Sequence, residues 1–218
     1  MARIATVGWL FMGAFGGVGL GSKAASGATP TVSDPKTLLP RPLVLEQKLT
    51  GDLDRDGDLD AILVGVDGPA KLEEITPGGS DGNRVLVVAR KTQGAYVLAG
   101  IGFGALLCRT CGGAFWGVNP APVELSVAKG VLTVSQSAGS RQVTDWVHRY
   151  RIENGKVRLI GLDRTVTDRL NGAVVIESTN YLTGTKITTV EGEPEDPVKA
   201  GTRKGRPATV LLAKVTIE

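Results

Sequence analysis

The chain contains only two cysteines and one histidine among its 218 residues. Two cysteines are too few for a disulfide scaffold, and together with one histidine they do not fill a four-ligand zinc site. The composition is 42% hydrophobic and 22% charged, with 30 glycines. It is that of a globular protein, and it excludes collagen, a long disordered tail and a multi-span membrane protein. The length allows one domain, or at most two small ones.

Charge is absent from residues 4–20, which follow a short basic start at Arg3. The small residues that come next suit cleavage by signal peptidase after Ala24 or after Ala28. The alternative is a permanent anchor helix. It is disfavoured because residues 4–20 contain five glycines and fall short of the roughly 20 residues of a stable span. We therefore expect a cleaved signal peptide over residues 1–28, export to the periplasm or the medium, and no membrane span afterwards.

Cleavage would also remove much of the positive charge. The full chain has 25 Lys and Arg against 22 Asp and Glu; without Arg3 and Lys23 the basic count falls to 23, which leaves a net charge near +1. No basic stripe of the kind that binds nucleic acid is present. We expect no nucleic-acid partner.

Short apolar or alternating runs separated by turn residues fill the rest of the chain, a pattern typical of β-structure. No window holds a 3.6-residue period for three turns, so a long helix is not expected. We predict an all-β single compact domain over 43–218, built of antiparallel hairpins and meanders as a sandwich or a partial propeller-like arrangement. An extended lead-in over 29–42 precedes it. The predicted strands are residues 43–49, 60–66, 84–90, 96–100, 123–127, 131–135, 143–152, 156–162, 173–179, 185–190 and 208–217.

Two further segments have distinctive patterns. Residues 191–207 contain three prolines and three glycines, with an acidic half before a basic half. This predicts a mobile surface loop. In the predicted strand 143–152, Trp146, His148, Tyr150 and Ile152 alternate onto one face. We expect that face to be buried.

The most informative group of functional side chains lies at residues 52–60, where carboxylates occupy loop positions 1, 3, 5 and 9. Four like charges within nine residues repel one another unless a cation neutralises them. Gly57 supplies a sharp turn, and the Asp58 carbonyl falls where a backbone ligand is needed. Oxygen ligands without histidine or cysteine favour Ca²⁺ over transition metals. The carboxylates are those of Asp52, Asp54, Asp56 and Asp60.

The loop differs from an EF-hand because position 12 is Leu63 instead of a bidentate glutamate, and because both flanks are strand-like. Two alternatives to a calcium site stay open. One is an acidic, solvated turn between two strands. The other is a Mg²⁺ site, which is less favoured because Mg²⁺ prefers few carboxylates and several waters.

Residues 52–66 resemble the calcium loop of FG-GAP/VCBS repeats, in which Asp-x-Asp-x-Asp-Gly-x-x-Asp runs into an apolar strand. A looser similarity to small exported bacterial FG-GAP/VCBS-like proteins of unassigned function covers residues 107–113, 150–151, 154–155 and 159–161. Only one aspartate loop is present, and the Phe-Gly element is reduced to Phe103-Gly104. A complete propeller needs roughly 300 residues, so the length excludes one. The resemblance implies an ion loop formed by Asp52, Asp54, Asp56, Asp58 and Asp60.

Cys108 and Cys111 form a Cys-x-x-Cys pair. In an exported protein the default is a local disulfide. Redox activity is the alternative, but such chemistry favours a cysteine at a helix N-terminus, and Gly112-Gly113 follows here. Metal binding and free thiols are further alternatives.

The remaining candidates carry weaker signals. His148 would need a nucleophile, and Ser135, Ser137 and Ser140 lie nearby without a Gly-x-Ser-x-Gly elbow. Three aromatic residues that could form a sugar-stacking platform are Trp116, Trp146 and Tyr150. We expect an exported, calcium-binding protein that serves as a non-catalytic binding or envelope-associated module, with an envelope protein or a glycan as its partner. The alternative is a periplasmic hydrolase using His148 or a thiol redox protein using Cys108 and Cys111.

Overall fold

A computed structural model describes residues 30–67, 82–117 and 119–217. The predicted signal peptide, residues 1–28, lies outside the described residues. The described chain is all-β, with two antiparallel sheets and no closed barrel. Its strands are β1 (Thr31–Val32), β2 (Val44–Gly51), β3 (Asp60–Val66), β4 (Arg84–Thr92), β5 (Ala95–Gly102), β6 (Val123–Ala128), β7 (Val131–Gly139), β8 (Gln142–Glu153), β9 (Lys156–Asp168), β10 (Val174–Asn180), β11 (Thr185–Glu191), β12 (Gly201–Lys204) and β13 (Val210–Leu211).

The two sheets follow the chain closely. The first has five strands in the order β1-β5-β4-β3-β2. The second runs β12-β11-β10-β9-β8-β7-β6, and β13 pairs with the first part of β9. Most neighbours in space are neighbours in sequence, which is the meander that alternating runs and tight turns predict.

One apolar core lies between the sheets. From the first sheet it takes Ile62, Leu86 and Val88, and from the second Leu132 and Tyr150, all fully buried. A second cluster on the other face of the first sheet contains Leu63 and Val87 and is covered by leucines from residues 38–45. Strand β3 is therefore buried on both faces, which explains its uninterrupted apolar sequence.

Three tight turns between neighbouring strands have the backbone that a twisted hairpin requires. Both central residues have positive φ in Gln93-Gly94 (50° and 79°), Lys129-Gly130 (52° and 76°) and Asn154-Gly155 (51° and 73°). Such turns match the right-handed twist of the flanking strands. They fix the registers of β4 with β5, β6 with β7, and β8 with β9.

The prediction for the last strand is wrong over most of its length. Within 208–217 only β13 pairs as a strand, and Thr216 forms an isolated bridge to Gly104. Between them lies a 3-10 helix at Leu212–Lys214. Its Leu212 and the following Val215 turn into the core and are 1% and 6% exposed. Burial of these two side chains outweighs strand propensity at this point.

The sequence patterns also gave no sign of β1 and β12. Strand β12 lies inside 191–207, where a loop was predicted, and all four of its residues are exposed. The lead-in contains β1 and a 3-10 helix at Pro35–Leu38, whose first turn is capped by Asp34. Within the ranges that the structure describes, no helix combines the length and apolarity that a membrane crossing requires.

Candidate metal centre

The aspartate loop connects β2 to β3. Gly51 and Asp60 are the last residues that pair across the two strands, so residues 52–59 form the loop between them. Leu53 turns inward and is 3% exposed, which anchors the loop to the core between the sheets. Gly57 has φ +92°, a conformation that glycine adopts without strain. This is the sharp turn that the sequence predicts at position 6 of the loop.

Three of the five predicted ligands converge. One carboxylate oxygen each from Asp52, Asp54 and Asp60 lies within 4.8 Å of the other two. A Ca²⁺ ion with ligands at roughly 2.3–2.6 Å accommodates oxygen–oxygen separations up to about 5 Å. The three oxygens therefore have a spacing that one cation can bridge.

Backbone hydrogen bonds hold two of these carboxylates in place. Asp52 accepts from the N–H groups of Asp56 at 3.2 Å and Gly57 at 3.1 Å. Asp60 is fully buried and accepts from the N–H groups of Leu53 and Lys91, each at 2.8 Å. A carboxylate oxygen has two lone pairs, so each retains capacity for a metal ion. The loop backbone thus orients both side chains before any ion binds.

The third carboxylate, that of Asp54, is only half satisfied. Its Oδ2 lies 3.4 Å from Arg90 Nη1 on β4. Its Oδ1 is buried and has no hydrogen-bond partner among the described residues. Buried charged oxygens are normally paired, because an unpaired one costs free energy. Asp54 is one of the three residues whose carboxylates converge. The unpartnered oxygen therefore belongs to the group that could hold a cation.

The other two aspartates have different contacts. Asp56 Oδ1 accepts from the N–H of Asp58 at 2.9 Å, which tightens the turn at Gly57. Asp58 Oδ1 lies 3.6 Å from Lys91 Nζ and is partly exposed. The structure therefore brings Asp52, Asp54 and Asp60 together and does not place the carboxylates of Asp56 and Asp58 in the same group.

The local electrostatics favour a positive charge at this position. Burial raises the pKa of Asp60 above its usual value, and the carboxylates of Asp54 and Asp56 raise it further. The two backbone N–H donors act in the opposite direction without cancelling these effects. A cation beside Asp60 would reverse the penalty, since opposite charge favours the ionised form.

Cations outside the loop take part in the site, although the loop sequence does not predict them. Arg90 and Lys91 come from the end of β4, more than 30 residues away. Arg55 has φ +64° and donates through its guanidinium to the Lys129 carbonyl in the β6–β7 turn. No local pattern points to these contacts. The pairing of β3 with β4 brings the end of β4 beside Asp60. A correct prediction of that pairing would therefore have indicated Arg90 and Lys91.

Cys108 and Cys111 form a disulfide in a turn. No helix begins at this turn in the described chain, so the low-pKa environment of a helix N-terminus is not provided. Arg109, inside the bridged segment, donates to Glu46 at 3.0 Å, and Arg84 donates to both oxygens of the same carboxylate. Burial raises the pKa of Glu46, but these two arginines outweigh it and hold the pKa below its usual value.

The predicted buried face of β8 is confirmed: Trp146, His148 and Tyr150 are 8%, 2% and 0% exposed. Burial lowers the pKa of His148 to about 4, so the imidazole is neutral at pH 7. Ser135 pairs with Val147 in the β7–β8 ladder, while the residue opposite His148 is Val134. Because strand side chains alternate, Ser135 and Ser137 lie on the opposite face from His148.

The proposed sugar-stacking platform is not assembled. Tyr150 is fully buried, so neither face of its ring is open to a ligand. Trp116 has contacts of its own: its indole donates to the Ser137 carbonyl at 3.0 Å, and its ring meets Phe115 edge to face. The three aromatic side chains therefore do not share one surface.

No family model, no curated protein and no solved structure matches this chain.

Proposed function

We propose that the loop between β2 and β3 binds one Ca²⁺ ion through the carboxylates of Asp52, Asp54 and Asp60. The observation that carries the proposal is their convergence within 4.8 Å, together with the buried Asp54 oxygen that lacks a hydrogen-bond partner. The Asp58 carbonyl and water complete the coordination, and the Asp56 carboxylate joins through a change of rotamer or a bridging water. The similarity of residues 52–66 to FG-GAP/VCBS calcium loops supports the same ion.

Ca²⁺ fits this donor set better than Mg²⁺. Three carboxylates on one short loop give many charged oxygens and few positions for retained water. Mg²⁺ demands a near-ideal octahedron and keeps several waters, whereas Ca²⁺ accepts six to eight oxygens in a flexible arrangement. Because this loop is only partly rigid, we expect it to bind Ca²⁺ more tightly than Mg²⁺.

The role of the ion is structural. It offsets repulsion among the aspartates and holds the loop in the position where Leu53 packs into the core and Arg55 contacts the β6–β7 turn. An ion that binds only the folded state stabilises it by RT ln(1 + [L]/Kd). By ordering this loop, calcium would thus support the contact between the edge of the first sheet and the β6–β7 turn of the second.

The protein as a whole is proposed to be an exported, non-catalytic binding or envelope-associated module. The basic and apolar pattern of residues 1–28 and the Cys108–Cys111 disulfide both support an oxidising compartment outside the cytoplasm. His148 is buried and neutral, and Ser135 and Ser137 lie on the opposite face of the sheet. Both observations favour a binding module over a hydrolase that uses His148.

The decisive experiment is a calcium titration of the purified protein by calorimetry, with thermal melts in Ca²⁺, in Mg²⁺ and in EGTA. We expect saturable binding of one Ca²⁺ and a higher melting temperature in Ca²⁺ than in EGTA, with a smaller effect of Mg²⁺. An identical melting temperature in all three buffers would remove the proposal.

A matched pair of variants locates the site. Asp54→Asn removes a converging carboxylate that accepts no backbone hydrogen bond in the structure, so we expect at least a tenfold loss of calcium affinity. Asp58→Asn removes a carboxylate outside the group and keeps the carbonyl, so we expect affinity within about threefold of the parent. Equal effects of the two substitutions would contradict the assignment of ligands.

A further inference from the structure

A cleft lies beside the eight-stranded sheet, against strands β8, β9 and β10. It has a volume of about 550 Å³. This lies within the roughly 300–1,000 Å³ typical of small-molecule sites. Side chains from β8, β9, β10 and the C-terminal segment surround it: Trp146, His148, Leu162, Arg164, Glu177, Tyr181, Lys214 and Thr216.

The charge of the cleft is positive. Arg164 and Lys214 line it, and Glu177 is its one acidic residue. Glu177 is already neutralised, because Lys186 Nζ lies 2.6 Å from one of its oxygens and Arg164 Nη1 lies 3.6 Å from the other. Within the described chain no carboxylate lies within ion-pair distance of Lys214. Its ammonium is therefore available to an anion.

Lys214 is held on a rigid support. It ends the 3-10 helix whose Leu212 is buried in the core, and Val215 next to it is buried as well. The following residues attach to the segment just after β5, where the Ile217 N–H donates to the Gly104 carbonyl at 3.0 Å. A cation mounted on a fixed backbone loses less conformational freedom on binding than one on a mobile loop.

The cleft also has apolar and aromatic lining residues. Trp146 and Leu162 are contributed by neighbouring strands, and Arg164 is the direct cross-strand partner of Trp146. Tyr181 adds a phenol that can donate or accept a hydrogen bond. Arg164 therefore lies beside the aromatic surface, while Lys214 comes from the C-terminal segment. Two cations next to aromatic and apolar carbon suit a ligand that carries both a carboxylate and a ring.

We propose that this cleft binds a small ring-bearing organic carboxylate, with Lys214 and Arg164 contacting the carboxylate and Trp146 and Leu162 contacting the ring. The inference deepens the proposed role as a binding module by naming a ligand class, and it does not depend on the calcium loop. A sugar acid and an aromatic acid share the required chemistry.

The test is calorimetry on the full purified chain with galacturonate and benzoate as probes, each against its neutral counterpart, galactose or benzyl alcohol. We expect a dissociation constant near or below about 1 mM for at least one carboxylate and at least tenfold weaker binding of its neutral counterpart. Galacturonate alone would identify a sugar acid, and benzoate alone an aromatic acid. The proposal would be overturned if neither carboxylate bound with a dissociation constant below about 10 mM, or if the neutral compounds bound equally well.

Variants confirm the location. Lys214→Gln and Arg164→Gln are each expected to weaken binding about tenfold, since charge-assisted hydrogen bonds are lost. Lys156→Gln, an exposed lysine at the start of β9, is the matched control and should leave affinity unchanged. Melting temperatures near the parent value show that each variant folds. Unchanged affinity in both cleft variants would place the ligand elsewhere and refute the assignment.

Repeating the titrations in EGTA separates this inference from the calcium proposal. Carboxylate binding that persists without calcium is expected, because none of the lining residues belongs to the aspartate loop. Absence of carboxylate binding in both buffers, in a protein whose melting temperature still rises with Ca²⁺, would leave the calcium site standing and remove only the cleft.

Discussion

The Asp60 carboxylate accepts a hydrogen bond of 2.8 Å from the backbone N–H of Leu53, seven residues earlier, and so closes the aspartate loop at its base. The other oxygen of the same side chain accepts from the N–H of Lys91 on the next strand. One buried carboxylate therefore joins the loop, β3 and β4. Asp60 has a role in the fold besides its proposed role as a ligand.

Asp60→Ala should consequently destabilise the protein even without calcium. Two N–H groups, of which that of Leu53 is buried and that of Lys91 partly buried, would lose their acceptor. We expect this to cost about 2–6 kcal/mol in total, at roughly 1–3 kcal/mol for each unsatisfied group. Guanidinium denaturation in EGTA measures the change. Asp54→Asn is the control, because Asp54 accepts no backbone hydrogen bond in the described structure, and it should stay within about 1 kcal/mol of the parent. Equal stability of the two variants would refute the structural role.

Glu46→Gln should be strongly destabilising. Glu46 occupies a bulge in β2 and is the shared acceptor of Arg84 and Arg109, which are 4% and 6% exposed. Removing the negative charge takes away the carboxylate that both buried guanidinium groups contact, and breaking a buried pair costs about 3–5 kcal/mol. Denaturant unfolding at pH 7 measures it.

Glu124→Gln on β6 is the matched control, because Glu124 is exposed. It should change stability by less than about 0.5 kcal/mol. The pKa of Glu46 is lowered in the folded state, so its stabilisation is complete above the ordinary glutamate pKa and is lost as pH falls through the lower folded value. A difference between the parent and Glu46→Gln that stayed constant down to pH 2 would contradict this account.

Local patterns were sufficient to predict most strands, and long-range contacts explain the failures. Alternation and paired positive-φ turns such as Asn154-Gly155 are visible in a few consecutive residues. The bulge at Glu46 depends on arginines that are 38 and 63 residues away. Strand β12 contains only exposed residues and is a strand because β11 offers a free edge.

The candidate site, like the fold, has one part that local sequence predicts and another part that depends on long-range contacts. The aspartate spacing and the turn at Gly57 belong to one short segment, so the loop could be predicted from sequence. Which carboxylates converge depends on Lys91 and Arg90, because these residues from another strand bind Asp60, Asp58 and Asp54 in particular orientations. Sequence spacing alone contains no information about that choice.

The Cys108–Cys111 disulfide should contribute modestly to stability. It closes a segment of four residues, for which the loop-entropy relation gives about 2 kcal/mol. The double variant Cys108→Ser with Cys111→Ser should lose about this amount in chemical denaturation. Treatment of the parent with a reductant should reproduce the loss, and the double variant should not respond to the reductant. A loss well above 3 kcal/mol would show that the bridge also holds Arg109 against Glu46.

His148 should make stability depend on pH between about 4 and 6.5. Burial lowers its pKa to about 4 in the folded state, against roughly 6.5 in an unfolded chain. The unfolded state then binds more protons in this interval, so stability rises with pH and is lost as pH falls. A shift of this size corresponds to about 3 kcal/mol between pH 7 and pH 4.

The measurement compares unfolding free energies of the parent and His148→Leu at several pH values, in protein without a histidine tag. Acidic groups titrate in both proteins and cancel in the difference. His148 is the only histidine in the chain, so the remaining slope between pH 5 and pH 6.5 belongs to this residue. The difference in stability should change by about 2 kcal/mol across that interval, because the folded imidazole stays mostly neutral there while the unfolded one gains its proton. Parallel pH curves would mean that water reaches the imidazole and that the face of β8 is more open than the structure shows.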